Sequence, residues 1–214
     1  GSKFQDASKY FHSDANYNFG HLTDIAEIQV GGSFRKYKLN SGGTIYTDFD
    51  GPIEYSEFGI YSQVQKDLEL NEDMKLKLTA SGRYDKSELF DGFFSPRLSA
   101  GLTMNRNHNI RASVQTGFRN PTTQDLFIGL DAGRAILVGS APSNLDRYSR
   151  NYAISTVGQG LPGVPASVTQ TGADAYNNSF SESSVKAFER DGTNNASLLT
   201  VSNPEIIKPE QVTS

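Results

Sequence analysis

The sequence predicts an all-β fold: an antiparallel transmembrane β-barrel, present as an incomplete set of about six strands plus a long extracellular loop region. Three observations predict it. Polar and apolar residues alternate along six stretches, each stretch is long enough to cross a bilayer, and the links between them alternate in length. Because a strand sends successive side chains to opposite faces, such alternation indicates strands with one apolar and one polar face. Repeated two-sided strands of this length are typical of transmembrane barrels.

The clearest alternation begins at Met74. Even positions from Met74 to Tyr84 are mostly apolar, whereas odd positions from Lys75 to Asp85 are polar or charged. The same pattern predicts strands at about residues 8–19, 25–37, 54–66, 74–85, 93–104 and 110–119. Strands in globular proteins average only about 5–6 residues, so the predicted lengths favour a membrane-crossing wall over a soluble sandwich.

The links between the strands predict which end faces which side of the membrane. Transmembrane barrels have short turns on the periplasmic side and longer loops outside. The short links, assigned to the periplasm, are residues 20–24, 67–73 and 105–109. The longer links, assigned to the outside, are residues 38–53, 86–92 and 120–210.

An aromatic residue lies on each apolar face at the predicted outer end of its strand. These residues are Phe11, Phe34, Phe58, Tyr84, Phe94 and Phe118. Aromatic girdles are expected at the boundary between membrane and water, because their rings suit the headgroup level. The alternative is that these rings fill the core of a soluble β-sandwich.

Two features predict irregular strands. Pro96 lies within the fifth strand, where proline cannot donate to the backbone ladder, and this indicates a bulge or an edge. Gly31 and Gly32 in the second strand indicate a kink.

The alternation is lost after residue 119. The sequence therefore divides into transmembrane strands in three hairpins, residues 1–119, and a long extracellular loop with short helices leading to the next strand, residues 120–214. Asn120 and Pro121 predict the start of a short helix, as the N-cap and the first turn. Residues 179–182, Ser-Phe-Ser-Glu, are typical of a capping box.

Composition excludes several classes of protein. The net charge of −4 and the pI near 5.4 argue against a general nucleic-acid binder. The chain has no cysteine, which excludes a disulfide framework and a thiolate metal site. No run of about 18 apolar residues indicates a membrane-spanning helix. The N-terminus has no signal-peptide pattern, so we expect the chain to be mature or incomplete.

No catalytic constellation stands out, so we expect neither an enzyme nor a cofactor. The three histidines, at positions 12, 21 and 108, are isolated, and solvated turn residues are the favoured interpretation for two of them. Asp48 and Asp50 lie beside Gly51 and form a weak calcium candidate that lacks the remaining ligands of a full loop. A simple turn is the alternative.

Basic residues recur on the predicted polar faces. They are Arg35, Arg83, Arg97, Arg111 and Arg119. Arg83, Arg97, Gln115 and Arg119 are the candidates that face the lumen. In one interpretation the arginines pair with Asp85, Glu27 and Glu57 in the barrel wall. In the other they contact an anionic solute or a plug.

Three segments resemble motifs of TonB-dependent outer-membrane receptors. Residues 115–126, Gln-Thr-Gly-Phe-Arg-Asn-Pro-Thr-Thr-Gln-Asp-Leu, resemble a segment in which a strand of that family ends in Gly-Phe-Arg-x-Pro-Thr, followed by an acidic residue and leucine. Ser-Pro-Arg-Leu at 95–98 and Asn-Pro-Glu-Ile-Ile-Lys-Pro-Glu at 203–210 are also similar to the family. The resemblance covers the chain from about residue 55 to its end.

The resemblance implies a large plugged barrel in the outer membrane of a Gram-negative bacterium. It implies import of a siderophore, haem, cobalamin, a glycan or a metal complex, energised by TonB–ExbB–ExbD through N-terminal segments that include the TonB box. The implied partners are the lipid bilayer, the rest of the barrel and its plug domain. With about six strands, the chain is expected to be a middle portion of such a receptor.

Two alternatives remain open. Within transport, the protein could be a glycan importer that works with a surface lipoprotein. Outside transport, it could be a soluble secreted β-rich adhesin or binding module.

Overall fold

The computed structural model describes residues 4–105, 107–133, 136–180, 182–193, 195–201 and 210–213. The strands in these ranges are β1 (Lys9–Asn18), β2 (Glu27–Leu39), β3 (Ile53–Asn71), β4 (Met74–Ser87), β5 (Phe93–Met104), β6 (His108–Arg119), β7 (Gly129–Asp131), β8 (Ile136–Val138), β9 (Ser149–Ala153), β10 (Ser167–Thr171) and β11 (Glu210–Thr213). The helices are α1 (Thr123–Phe127), α2 (Asn144–Arg147), α3 (Thr156–Gln159), α4 (Gly172–Asn177), α5 (Glu182–Asp191) and a 3₁₀ turn, Ala196–Leu198. Within the described part of the chain, no helix is both long enough and apolar enough to cross a membrane.

Seven of the described strands form one sheet in the order β1–β2–β3–β4–β5–β6–β11. Strands β1 to β6 each lie beside their neighbour in sequence, as in an up-and-down barrel wall. Strand β11 adds to β6 in antiparallel fashion, with Glu210 opposite Arg119. The predicted all-β fold of successive antiparallel strands is confirmed.

The register between strands confirms that the alternation separates two faces. One row across β3, β4, β5 and β6 consists of Val64, Ala80, Leu98 and Val114. The adjacent row, on the opposite face, consists of Gln63, Ser81, Arg97 and Gln115. In the apolar row Val64, Leu98 and Val114 remain exposed. The sheet thus presents an open apolar face and a polar face, the arrangement of a wall between lipid and water.

Strand β3 is longer than the sequence suggested, and the predicted short link at 67–73 is wrong in extent. The strand continues to Asn71, and the turn is confined to residues 72–73. The apolar pairing persists, because Leu68 lies opposite Leu76. Lys75 Nζ also lies 2.7 Å from Glu69 Oε1, and the register shifts only after Glu69. Residues 67–71, which the sequence assigned to the link, lie along a continuing ladder.

Link lengths alternate less regularly than the sequence suggested. The connection between β1 and β2, residues 19–26, is longer than that between β4 and β5, residues 88–92. The sidedness assigned from those lengths stays a prediction.

The two irregular positions have distinct physical reasons. Gly31 lies under the ring of Tyr61, and a Cβ atom at this position would collide with that ring. The continuous register of β5 with β6 runs from Met104 to Arg97 and ends beside Pro96. Proline has no N–H to donate, so a ladder is expected to end there.

The chain forms two compact units. We call residues 9–38, 54–120 and 208–214 the strand unit, and residues 1–8, 39–53 and 121–207 the loop unit. The most deeply buried side chains of the loop unit are those of Ser41, Thr47, Asp48, Leu126, Phe127, Ala141, Asn144 and Tyr148. Residues 39–53 therefore belong with the later segment, a grouping that the alternation does not reveal.

Candidate functional site

Two arginines on the polar face of the strand unit are paired with carboxylates. Arg83 holds Asp85 through two hydrogen bonds, with Nε–Oδ2 at 2.6 Å and Nη2–Oδ1 at 2.7 Å. Arg35 Nη1 lies 3.7 Å from Glu57 Oε2. Glu27, the third suggested partner, instead accepts a hydrogen bond from Gln65 Nε2 at 3.1 Å. Arg83 thus belongs to a local bidentate pair, which fixes its guanidinium plane.

Further along the polar face, three cations surround a shallow hollow of about 350 Å³. Lys77 and Arg111 both lie opposite Gly101 of β5 in the register, and Arg97 lies four residues before Gly101 in that strand. Within the described ranges, none of the three cations forms an ion pair. We call this cluster the basic hollow. Such a concentration of positive charge attracts anionic groups.

The other two lumen candidates lie on β6. Gln115 is exposed and lies directly opposite Arg97. Arg119 is exposed at the end of the strand, opposite Glu210. Gln115 and Arg97 therefore share one row, whereas Arg119 stands at the end of its strand.

A row of three tyrosines in ring contact crosses the polar face of the first three strands. Tyr10 lies opposite Tyr37 in the register, with ring centroids 5.1 Å apart. Tyr37 stacks on Tyr55, with centroids 4.6 Å apart and planes at 12°. We call these residues the tyrosine row. The solvent-exposed fraction of its members rises from 6% at Tyr55 to 56% at Tyr10.

Glu57 lies at the side of the tyrosine row and accepts hydrogen bonds from two directions. The Tyr37 hydroxyl donates to Glu57 Oε2 at 3.3 Å, and Asn120 Nδ2 donates to Oε1 at 3.4 Å. Sequence reasoning missed the row because it considered aromatic residues only on apolar faces. Tyr10 and Tyr37 occupy positions that alternate with the apolar residues of their strands, and this pattern could have placed both on the polar face.

The buried carboxylate of Asp48 organises a tight turn in the loop unit. It accepts hydrogen bonds from the backbone N–H and hydroxyl of Ser41, and from the N–H groups of Gly42 and Gly43, both at 2.9 Å. Asp50 takes no part in these hydrogen bonds to the Asp48 carboxylate. Across the described residues, no group of three or more His, Cys, Asp or Glu is placed to hold a metal ion. The arrangement favours the simple turn over the calcium alternative.

Asn144 joins separate segments of the loop unit. Its Oδ1 accepts a hydrogen bond from Thr47 Oγ1 at 2.7 Å. Its Nδ2 donates to the carbonyl oxygens of Leu126 at 2.7 Å and Gly139 at 2.6 Å. Because Asn144 is fully buried, these bonds satisfy backbone groups that water does not reach.

Arg150 makes a second link between the same segments. It donates to the carbonyl oxygen of Gly43 at 3.1 Å, lies 3.7 Å from Asp131, and sits 5.5 Å above the ring of Phe49. Phe49 also packs edge-on against Tyr148, whose burial raises the pKa of its hydroxyl. The loop unit therefore has a centre of polar and aromatic groups.

Five of the six residues of the suggested aromatic girdle are exposed. They are Phe11, Phe34, Phe58, Tyr84 and Phe94. Phe118 differs, because its ring is half-buried and stacks on Phe93 with centroids 5.0 Å apart. Phe93 lies opposite Asp85, whereas Phe94 lies opposite Tyr84, so Phe93 belongs to the polar face. Phe118 therefore does not belong to the exposed row. A membrane boundary at the other five stays a prediction.

The segment 115–126 joins the end of β6 to helix α1. Thr122 is the N-cap of this helix, rather than Asn120 as the sequence suggested. The Thr122 hydroxyl accepts from Asp125 N at 3.1 Å, and the Asp125 carboxylate accepts from Thr122 N at 2.9 Å. This reciprocal capping box explains why the helix begins later. Residues 203–209 of the last motif, and Ser181 of the other suggested capping box, lie outside the described residues.

Comparison with known proteins identifies a family for almost the whole chain. A family model described as TonB dependent receptor-like, beta-barrel, matches residues 1–205. No curated protein and no solved structure matches the chain.

Proposed function

Because the chain belongs to the TonB-dependent receptor-like β-barrel family, we propose that it forms part of the wall of an active transporter in the outer membrane of a Gram-negative bacterium. The observation that carries this proposal is the two-faced sheet, whose exposed apolar face suits lipid and whose polar face suits an aqueous passage. The smallest natural barrels have about eight strands and plugged transporters about 22. We therefore expect strands beyond the seven in this sheet to complete the wall.

The family is one of transporters and not of enzymes. In the mechanism that we propose, outer loops capture a scarce solute, and a plug domain then moves under the force supplied by TonB–ExbB–ExbD. The loop unit would supply part of the capturing surface, because its buried polar centre gives long loops a defined shape. The polar face of the strand unit would line the passage.

The transported solute belongs to one of several chemical classes. A siderophore, haem, cobalamin, a glycan or a metal complex are the candidates that the family suggests. A glycan importer would work with a surface lipoprotein that covers the outer opening. Family membership supports transport in general, and the choice of solute needs a separate argument from the residues of this chain.

The alternative of a soluble secreted adhesin has less support. Such a protein would bury its apolar residues, since monomeric soluble proteins rarely expose large contiguous apolar patches. Here the aligned residues Val64, Leu98 and Val114 are 41%, 58% and 54% exposed. An apolar row that crosses four strands without cover is typical of a lipid-facing surface.

Growth of a deletion strain tests the transport proposal. The strain would grow on limiting iron complexes, on cobalamin and on defined glycans, each as the sole source, beside a strain complemented with the intact gene. We expect one of these sources to support growth only when the gene is present. In a strain without TonB, that source should not support growth even when the gene is present.

Cell fractionation provides the independent test of location. The protein should sediment with outer membranes and resist extraction by salt and by alkaline carbonate. Recovery in the culture medium or in a soluble fraction would favour the adhesin alternative. Growth that is unaffected by loss of TonB would contradict energised transport.

A further inference from the structure

The tyrosine row has the properties of a ligand platform. Tyr10 presents a ring that is 56% exposed and packs at a tilt of 47° against Tyr37, which itself stacks on Tyr55. A stacked neighbour restricts the motion of an aromatic ring, so little further order is lost when a ligand binds to it. We propose that the tyrosine row binds a sugar ring of the transported solute. This inference rests on the proposed transport function and deepens it.

The position of the row suits the entrance of a passage. Tyr10 lies near the start of β1, and Tyr37 lies near the end of β2. These strand ends adjoin the link at 40–52, which the sequence assigns to the outside. A solute that enters along the polar face would meet this end of the strands first.

The chemistry of the row suits a ring with an apolar face and a polar rim. A pyranose presents C–H groups on its face, which pack on an aromatic ring, and hydroxyl groups around its edge. The edge of the platform carries matching polar groups. His12 lies opposite Arg35 in the register, with its ring 6.1 Å from Tyr10. The Glu57 carboxylate completes the set beside Tyr37. Convergent polar groups around an apolar surface are typical of small-molecule sites.

Local charge favours an uncharged ligand over an anionic one. Arg35 is paired with Glu57, so this pair carries little net charge toward a ligand. A ferric catecholate, which is highly anionic, would instead be attracted to the basic hollow of Lys77, Arg97 and Arg111 on β4 to β6. Hydroxyl groups, in contrast, can both donate to Glu57 and accept from Arg35.

Calorimetric titration tests the proposal on the receptor as its host expresses it, purified in detergent. The probes are oligosaccharides of α-1,4-glucan, β-1,4-glucan, xylan and mannan, with a ferric catecholate complex as the anionic comparison. We expect at least one oligosaccharide to bind. Tyr10→Ala should then weaken its affinity roughly tenfold, the upper range for one aromatic contact. Tyr10→Phe should keep the affinity within about twofold, since the stacking face remains.

Tyr17 provides a matched control. It lies on the same strand and is 52% exposed, but it lies opposite Val30, on the apolar face. Tyr17→Ala should leave the affinity unchanged, which separates the platform from a general effect of losing a tyrosine. The variants should retain the native β-sheet circular dichroism spectrum.

Two results would overturn the proposal: unchanged affinity in Tyr10→Ala, or no binding of any oligosaccharide. The titration needs no energy source, so its outcome is separate from that of the growth test. Unchanged affinity in Tyr10→Ala together with TonB-dependent growth would reject the platform and keep the transport function. Sugar binding that requires Tyr10, without TonB-dependent growth, would keep the platform and reject the transport function.

Discussion

The strand unit and the loop unit are held together by different interactions. In the strand unit, backbone ladders join neighbouring strands, and most side chains stay exposed or half-buried on one of two faces. In the loop unit, the centre is occupied by the polar side chains of Asp48 and Asn144, which form hydrogen bonds with backbone groups of the loops around them. A wall between lipid and water needs a two-sided surface. A compact unit built from loops needs partners for its backbone N–H and C=O groups.

This contrast predicts that each unit has its own sensitive positions. A charge on the apolar face should harm the strand unit, whereas loss of a buried amide should harm the loop unit. The following variants test the contrast, beginning with the largest expected effect.

Val64→Arg should destabilise the strand unit most. Val64 belongs to the exposed apolar row, and an arginine on a lipid-facing surface near the bilayer midplane costs roughly 2–4 kcal/mol. Refolding into lipid vesicles, followed by urea titration, measures this loss. Gln63→Arg is the matched control, because Gln63 is the adjacent residue on the opposite face. Equal effects of the two substitutions would refute the assignment of the faces.

Asn144→Ala should destabilise the loop unit and spare the strand unit. The substitution leaves Thr47 Oγ1 without its buried acceptor and removes one of the two donors to each carbonyl oxygen of Leu126 and Gly139, at a cost of about 1–3 kcal/mol. Hydrogen exchange read by mass spectrometry should show faster exchange in residues 41–53 and 121–148. Asn151→Ala changes an exposed asparagine of the same unit and should have little effect. Faster exchange that spreads through the strands would contradict separate stabilisation.

Alkaline pH should destabilise the loop unit. Burial raises the pKa of the Tyr148 hydroxyl, and burial also raises the pKa of Tyr46 and of Tyr176. Because the folded-state pKa is the higher one, the stabilisation is complete below the unfolded-state pKa, near 10, and falls as pH rises towards the folded value. In that pH interval, the contribution of each such tyrosine to the free energy of unfolding falls by up to about 1.4 kcal/mol per pH unit.

The Tyr148→Phe variant isolates this pH dependence. Exchange of loop-unit amides, corrected for intrinsic rates, should rise less steeply above pH about 10 in the variant than in the wild type. An equal slope would show that folding does not raise the pKa of the Tyr148 hydroxyl. Tyr17→Phe, at an exposed tyrosine of the strand unit, should leave the slope unchanged.

Thr171→Ala should have the smallest effect. Thr171 caps helix α4 in a reciprocal box with Asp174, and loss of a threonine cap costs about 1 kcal/mol. The Thr171 hydrogen bonds also lower the pKa of the Asp174 carboxyl. Its contribution is therefore present above the unfolded-state pKa and is lost as pH falls through the lower folded value. Faster exchange in residues 172–177 measures the change, and Thr171→Ser should restore protection.

The sequence predicted the strand unit well because its pattern is local. Alternation between neighbours such as Val64 and Gln63 directly encodes which face each side chain takes. Errors arose where that pattern competed with another signal. Residues 67–71 were assigned to a link, although Leu68 pairs with Leu76 in the ladder. Phe118 follows the parity of its strand, yet its ring stacks on Phe93.

The loop unit could not be predicted in the same way, because its contacts join residues far apart in sequence. Thr47 and Asn144 form one hydrogen bond, although nothing near either residue indicates the other. The close approach of Gly172 to the backbone of Asn144 is equally non-local, since a Cβ atom there would collide with the Asn144 carbonyl oxygen. The alternation could have placed these tyrosines on the polar face, but the contacts between their rings depend on the register between strands.

The hairpin of β9 and β10 offers a practical site for a label. Ile154 N donates to the carbonyl oxygen of Ala166 at 2.9 Å, which closes the base of the excursion at residues 155–165. Beyond that base, Val157 is 83% and Leu161 is 62% exposed. A peptide epitope inserted after Gly160 would lengthen a segment whose ends are already fixed. Antibody staining of intact cells would then establish on which side of the membrane the hairpin lies.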